Sequence, residues 1–180
     1  MAFAGPRNGP RVVVEGLARL EYRGYDSWGV AARTDRTIAC VKDVGKLGTV
    51  PAELLEDDGL SPAIGHVRWA THGGVTQANA HPHISGDGRI AVVHNGIIEN
   101  YQALRRELRE QGCEFRSETD TEVLPNLIAR ELERTDSLAD AVRAALALVE
   151  GSFAVAVLDR DSRTLIGAAV QPAGAGGRRE

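Results

Sequence analysis

The sequence has few cysteines and no long apolar run. Only Cys40 and Cys113 occur among its 180 residues, which excludes a disulfide framework and any Cys-x-x-Cys site. No stretch of about 18 apolar residues is present. The first residues, MAFAGPRNGP, lack the charged and apolar segments of a signal peptide. These absences predict a cytoplasmic chain that neither crosses a membrane nor depends on disulfides.

An excess of basic residues is also missing. Lysine and arginine number 21 against 25 acidic residues, which gives a formal charge of −4. Neither nucleic acid nor an anionic membrane is therefore expected as a partner. Hydrophobic residues make up 43% of the chain, enough to bury a core, so we expect one domain or part of one.

Helical and strand-like segments do not alternate regularly along the chain. Apolar spacing predicts helices over residues 11–23, 99–111, 120–134 and 137–150, with a weaker one over 50–57. Strand-like runs cover residues 28–33, 37–42, 63–69, 89–95, 152–159 and 164–170, with a short one at 113–117. Adjacent strands joined by short turns favour antiparallel sheets with helices packed outside, an α+β fold.

All five histidines fall in one part of the chain, at positions 66, 72, 81, 83 and 94. Their spacing matches no common zinc motif. Pro82 between His81 and His83 favours an extended backbone, which tends to point the two rings to opposite sides. No metal site is therefore predicted.

Three polar motifs each allow two interpretations. Asn95-Gly96 follows an apolar strand and suits either a tight turn or an oxyanion hole built from a side-chain amide and a backbone N–H. Arg68 ends another strand, where it could grip a carboxylate through two hydrogen bonds or simply begin a surface loop. Asp120, within SETDTE, could cap a helix or accept hydrogen bonds from an ammonium group.

Five segments occur in the order found in one family: RLEYRGYDS, GHVRWATHG, NAHPH, VVHNGIIEN and SETDTEV. Together they resemble the glutaminase domain of glutamine–fructose-6-phosphate aminotransferase (isomerising), also called glucosamine-6-phosphate synthase. The resemblance runs from about Gly5 to about Ala168. The related purine-pathway amidotransferase has similar landmarks, but EYRGYDS and RWATHG look like the sugar enzyme.

The resemblance implies a class II glutamine amidotransferase domain with the N-terminal nucleophile hydrolase fold, a four-layer αββα sandwich that would be incomplete here. Such a domain would span residues 1–170, followed by an unstructured tail at 171–180. It would hydrolyse glutamine to glutamate and ammonia without a cofactor. The ammonia would convert fructose 6-phosphate to glucosamine 6-phosphate on a sugar-isomerase domain, which is normally fused and is absent from this sequence.

The same resemblance assigns roles to residues. Arg68 would bind the α-carboxylate of glutamine, and Asp120 would hold its α-ammonium group. Asn95 (side chain) and Gly96 (backbone N–H) would form the oxyanion hole. The other implied site residues are Trp69, Thr71 and His72 in the loop that closes over glutamine, and Arg23 near the nucleophile.

The sequence departs from the family at its start. The family begins Met-Cys-Gly-Ile, and the cysteine is the nucleophile, whereas this sequence begins Met-Ala-Phe-Ala. Cys40 and Cys113 lie deep in the chain and have no free α-amino group. We therefore expect a domain truncated at both ends and inactive alone, with a non-catalytic glutamine-binding or regulatory module as the alternative. Trp28 stands where the family usually has alanine and would need room in the core.

Overall fold

The computed structural model describes residues 1–35, 37–55, 61–69, 73–162 and 164–170, and it describes Arg23 by its backbone alone. The predicted tail at 171–180 lies outside these residues. The helices are α1 (Gly9–Leu20), α2 (Ala52–Leu55), α3 (Tyr101–Glu110), α4 (Val123–Leu132) and α5 (Leu138–Ala147), and a 3-10 turn, Glu21–Arg23, follows α1. The strands are β1 (Ala2–Phe3), β2 (Ser27–Arg33), β3 (Ile38–Val44), β4 (Ala63–Arg68), β5 (His83–Ile84), β6 (Ile90–Ile98), β7 (Gly151–Asp159) and β8 (Leu165–Val170).

Residues at the helix ends form capping interactions that can be recognised in the sequence. The side chain of Asn8 accepts a hydrogen bond from the backbone N–H of Arg11 at 2.9 Å, and Pro10 lies in the first turn, where no N–H is needed. Ser137 caps α5 in the same way through the N–H of Asp140. Pro125 likewise falls in the first turn of its helix, α4.

The strands form two antiparallel four-stranded sheets, in the orders β1-β4-β2-β3 and β5-β6-β7-β8. Residues of both sheets share one buried cluster, which includes Ala31, Ile64, Ala91 and Val93, so the sheets pack face to face. On the outer faces, α1 and α2 cover the first sheet, and α3, α4 and α5 cover the second. The resulting helix–sheet–sheet–helix order confirms the predicted αββα sandwich. In the described ranges no helix is long and apolar enough to span a bilayer.

The structure excludes one of the two interpretations of Asn95-Gly96, and it contradicts the strand predicted at 113–117. Asn95 and Gly96 do not form a turn, because β6 continues through them to Ile98, with Asn95 opposite Ala154 and Gly96 opposite Phe153. The Asn-Gly pair favours a turn only where pairing with a neighbouring strand ends, and here β7 runs alongside. Residues 113–117 form no strand. Instead, the backbone N–H groups of Arg116 and Ser117 donate hydrogen bonds to the Glu122 carboxylate.

Trp28 fits the core between α1 and the first sheet. It is 3% exposed and belongs to the cluster that includes Val13 and Leu17. A Cβ at Gly48 would meet the indole at 3.4 Å, an ordinary van der Waals contact. The indole is therefore packed inside this core rather than left at the surface.

Candidate functional site

A cavity of about 500 Å³ lies where the C-terminal part of β4 meets that of β6. The two strands belong to different sheets, so the cavity opens between the sheets. Its lining combines apolar residues from α1 with charged and amide groups from the strands and the 120–121 turn. The lining residues are Met1, Leu17, Leu20, His66, Val67, Arg68, Trp69, His81, His94, Asn95, Gly96, Ile97, Asp120 and Thr121.

Arg68 and Asp120 place opposite charges in this cavity, and each residue is only 4% exposed. Burial lowers the pKa of the Arg68 guanidinium, whereas the nearby carboxylates of Asp120 and Asp26 act to raise it. The Asp120 carboxylate accepts a hydrogen bond from the N–H of Ile98 at 2.9 Å. A cavity that offers one fixed cation and one fixed anion suits a ligand that carries both charges.

The backbone around Arg68 is packed closely. A Cβ at Gly24 would overlap the backbone of Arg68 and of Trp69, at 2.9 and 3.1 Å. The N–H of Asp26 donates to the carbonyl of Arg68 at 3.2 Å. The segment EYRGYDS therefore supports the end of β4, which explains its need for glycine at position 24.

The turn that carries Asp120 is held by side-chain hydrogen bonds. The carboxylate of Glu122 accepts from the Ser117 hydroxyl at 2.6 Å, and that hydroxyl lies 2.9 Å from the hydroxyl of Thr119. Arg105 of α3 donates to the carbonyl of Ser117. Because these partners are buried or half-buried, the turn holds Asp120 in place before any ligand arrives.

Histidines build the inner wall of the cavity. The rings of His81 and His94 lie 2.9 and 2.8 Å from the hydroxyl of Thr121, and His66 lies 3.4 Å from His81, nitrogen to nitrogen. Burial lowers the pKa of His66 to about 3, and the N-terminus, His94 and Arg68 contribute to that lowering. Burial is also the main cause that lowers the pKa values of His81 and His83.

The predicted divergence of His81 and His83 is wrong. Their ring centroids lie 5.0 Å apart, because His81 bonds Thr121 while His83 bonds Thr119 on the same turn. Even so, in the part of the chain that the structure describes, no group of three or more histidine, cysteine, aspartate or glutamate side chains is arranged to hold a metal ion.

The structure brings most of the sequence-predicted site residues together. Arg68, Trp69, Asn95, Gly96 and Asp120 all line the cavity. Asn95, Gly96 and Trp69 are exposed, with Trp69 at 62% and its ring 5.9 Å from that of Tyr25. Two other predicted residues, Thr71 and His72, lie outside the described residues, as does the side chain of Arg23.

Sequence reasoning missed polar residues that hold the segments next to the cavity. Asn79 is 2% exposed and bonds both Gly74 and Glu118. Lys42, on β3, donates to three carbonyls of the segment that carries Asn79. The one available signal was the position of Asn79 at the start of the NAHPH motif. None of the described lining residues is a cysteine, since Cys40 lies in β3 and Cys113 follows α3.

Comparison with known proteins supports one family. Residues 66–174 match the model of a glutamine amidotransferase domain. Over 168 residues the chain is 48% identical to glutamine–fructose-6-phosphate aminotransferase (isomerising) of Streptomyces coelicolor, covering 92% of this chain and 27% of that protein. Over 170 residues it is 49% identical to a protein of the same name from Thermus thermophilus, covering 93% and 28%. The chain thus spans about a quarter of the length of these relatives.

Solved structures give a similar fold. Glutamine phosphoribosylpyrophosphate amidotransferase from B. subtilis, in complex with ADP and GMP, superposes with a TM-score of 0.73 at 27% identity, over 93% of this chain and 36% of that one. A structure described as the allosteric regulatory enzyme of purine biosynthesis gives 0.71 at 30% identity, over 88% and 35%.

Proposed function

The chain belongs to the glutamine amidotransferase domain family, and on that premise we propose that its cavity binds glutamine and serves the release of ammonia from the glutamine side chain. The observation that carries the proposal is the burial of Arg68 and Asp120 in one cavity whose rim holds Asn95 and Gly96. Glutamine has a carboxylate and an ammonium at one end and a reactive amide at the other, so it matches this arrangement.

Each group has a distinct task in this scheme. Arg68 binds the α-carboxylate through two parallel hydrogen bonds, and Asp120 accepts hydrogen bonds from the α-ammonium group. When a thiol attacks the side-chain carbonyl, negative charge develops on its oxygen. The Asn95 amide and the Gly96 N–H stabilise that oxyanion, and such a donor contributes roughly 10²–10³ in rate. Ammonia then leaves, and water releases glutamate from the enzyme.

The thiol must come from a residue other than those lining the cavity. In the β1–β4 register, Ala2 lies opposite Ile64 and Phe3 opposite Ala63, so Met1 lies opposite Gly65. Residues placed before Met1 would run antiparallel beside His66 and Val67 toward Arg68. The cysteine of a Cys-Gly-Ile extension would then lie opposite Arg68, at the cavity wall. Its free α-amino group would serve as the base, as in other enzymes with an N-terminal nucleophile.

The proposal also includes the substrate that accepts the ammonia. The relatives named above are aminotransferases for fructose 6-phosphate and are several times longer than this chain. We expect the ammonia to be used in the same amination, on a sugar-isomerase domain outside these 180 residues.

Three polypeptides test the proposal: the 180-residue chain, the chain preceded by Met-Cys-Gly-Ile, and a matched control preceded by Met-Ala-Gly-Ile. Glutamine binding is measured by calorimetry and glutamate release by a coupled assay. We expect all three to bind glutamine and only the cysteine version to release glutamate. Absence of binding in all three would contradict the glutamine site. Glutamate release by the 180-residue chain would contradict the account of the nucleophile, and binding without release by the cysteine version would favour a glutamine-binding module.

A further inference from the structure

One buried amide group connects the two charged sides of the cavity. Asn79 is 2% exposed and lies behind the cavity, in the connection between β4 and β5. Its Oδ1 accepts a hydrogen bond from the N–H of Glu118 at 2.9 Å. Its Nδ2 donates to the carbonyl of Gly74 at 3.0 Å and to the Glu118 carboxylate at 3.3 Å. This orientation is the one that chemistry requires, because an N–H only donates whereas a carbonyl or carboxylate only accepts.

The hydrogen-bond partners of this amide lie next to the two charged residues, Arg68 on one side and Asp120 on the other. The carbonyl of Gly74 also accepts a hydrogen bond from the guanidinium of Arg68, at 3.4 Å, so Asn79 and Arg68 share one acceptor. At the other end, Glu118 lies two residues before Asp120 on the turn described above. Asn79 therefore fixes one backbone position beside Arg68 and another beside Asp120.

The segment that carries Asn79 is itself held from the first sheet. The ammonium of Lys42 donates to the carbonyls of Ala78, Ala80 and Pro82 at 3.2, 2.7 and 3.2 Å. These carbonyls lie on both sides of Asn79 in the sequence. The amide is thus anchored to β3 and has little freedom to follow either charged segment if that segment shifts.

We propose that Asn79 is a positioning residue that sets the spacing between Arg68 and Asp120, and that it thereby makes the cavity selective for ligands carrying both an α-carboxylate and an α-ammonium group. The proposal rests on the proposed function. A ligand with both charges gains from both residues only when their spacing matches its own. A ligand with the carboxylate alone is insensitive to that spacing.

Calorimetry with two ligands tests the role. L-glutamine carries both charges, and glutaramate has the same carboxylate and amide but no α-amino group. In Asn79→Ala we expect glutamine to bind about tenfold more weakly, on the scale of one lost buried hydrogen-bonding group, and glutaramate to change less than about threefold. Asn79→Asp is the second variant. Its carboxylate can still accept from the Glu118 N–H but cannot donate to the Gly74 carbonyl. We therefore expect it to lower the affinity for glutamine relative to glutaramate, as Asn79→Ala does.

Asn100 supplies the matched control. Its side chain accepts from the N–H of Glu150 at 3.0 Å and donates to the carbonyl of Leu148 at 2.9 Å, the same bonding pattern away from the cavity. Asn100→Ala should lower the melting temperature without changing the ratio of the two affinities. In the polypeptide extended by Met-Cys-Gly-Ile, Asn79→Ala should raise KM about tenfold and leave kcat within about twofold, since it leaves the oxyanion-hole residues in place.

The outcomes separate the two proposals. If the unsubstituted chain does not bind glutamine, the proposed function and this inference both fail. If it binds glutamine, and the Asn79 variants keep its ratio of glutamine to glutaramate affinity, the role of Asn79 is overturned while the glutamine site stands. Equal weakening of both ligands would also overturn it, because it would show a general structural role.

Discussion

The carboxylate of Asp120 accepts a hydrogen bond from the backbone N–H of Ile98, with 2.9 Å between oxygen and nitrogen. Ile98 ends the strand that presents Asn95 and Gly96 to the cavity. One strand therefore fixes both the group proposed to hold the α-ammonium and the groups proposed to hold the oxyanion. The rise of β6 therefore helps to set the distance between the proposed ammonium site and the proposed oxyanion site.

Replacing Asp120 with asparagine tests the ammonium-binding role. The amide oxygen can still accept from Ile98, so the turn is preserved, but the negative charge is lost. A hydrogen bond to a charged group contributes about 1.5–3 kcal/mol, so Asp120→Asn should weaken glutamine binding by about ten- to a hundredfold in calorimetry. Glutaramate, which has no ammonium, should bind at least as well as before. An unchanged glutamine affinity would remove Asp120 from the site.

Replacing Asn95 with alanine tests the oxyanion hole. Asn95 is exposed, so its loss should scarcely affect folding. In the polypeptide extended by Met-Cys-Gly-Ile, we expect kcat for glutamate release to fall by roughly 10²–10³. The affinity for glutamine should stay within about threefold, because the oxygen is charged only in the transition state. A change in KM alone would assign Asn95 to substrate binding instead.

How much of this site the sequence could predict depends on how local each signal is. Helix caps such as Asn8 and Ser137 are local, and the structure shows both making their capping hydrogen bonds. Asn95-Gly96 is also a local signal, but whether it forms a turn is decided by pairing with β7, more than fifty residues later. The motif resemblance identified Arg68 and Asp120 without explaining what holds them.

Apart from the place of Asn79 in the NAHPH motif, the supporting residues give no signal in the sequence pattern. Asn79 is hydrogen-bonded to Glu118, which lies 39 positions away in the sequence, and Lys42 is hydrogen-bonded to Ala80, which lies 38 positions away. An isolated asparagine or lysine of this kind gives no periodic signal, since its partners are carbonyls and N–H groups that nearly every residue has. Such contacts become visible only when the two sheets are brought together.

Acid should destabilise the fold through its buried histidines. The pKa of His66 is lowered to about 3, and those of His81 and His83 are lowered by burial and by neighbouring cations such as Arg68. Below about pH 6.5 the unfolded chain binds protons at these positions while the folded chain does not. The free energy of unfolding therefore falls as the pH falls, by up to about 1.4 kcal/mol per pH unit for each such histidine.

Urea unfolding between about pH 7 and pH 4 measures this slope, since the histidines titrate there in the unfolded chain. His83→Gln removes one titrating ring and keeps a polar partner for Thr119. The variant should lose less stability than the parent over this range as the pH falls. Since both chains have the same carboxylates, the comparison isolates the histidine. Parallel curves for the two proteins would show that His83 binds its proton equally well in the folded and the unfolded chain.

Trp28 offers a test of core packing. The resemblance to a family that usually has alanine here suggested an overpacked core, in which case Trp28→Ala would relieve about 1–3 kcal/mol of strain. The structure points the other way, because the indole is 3% exposed and packs with Val13 and Leu17. Truncation should therefore leave a cavity and lower the free energy of unfolding by about 3–5 kcal/mol. Urea unfolding measures the change in the free energy of unfolding, and a variant more stable than the parent would show that the core is overpacked at Trp28.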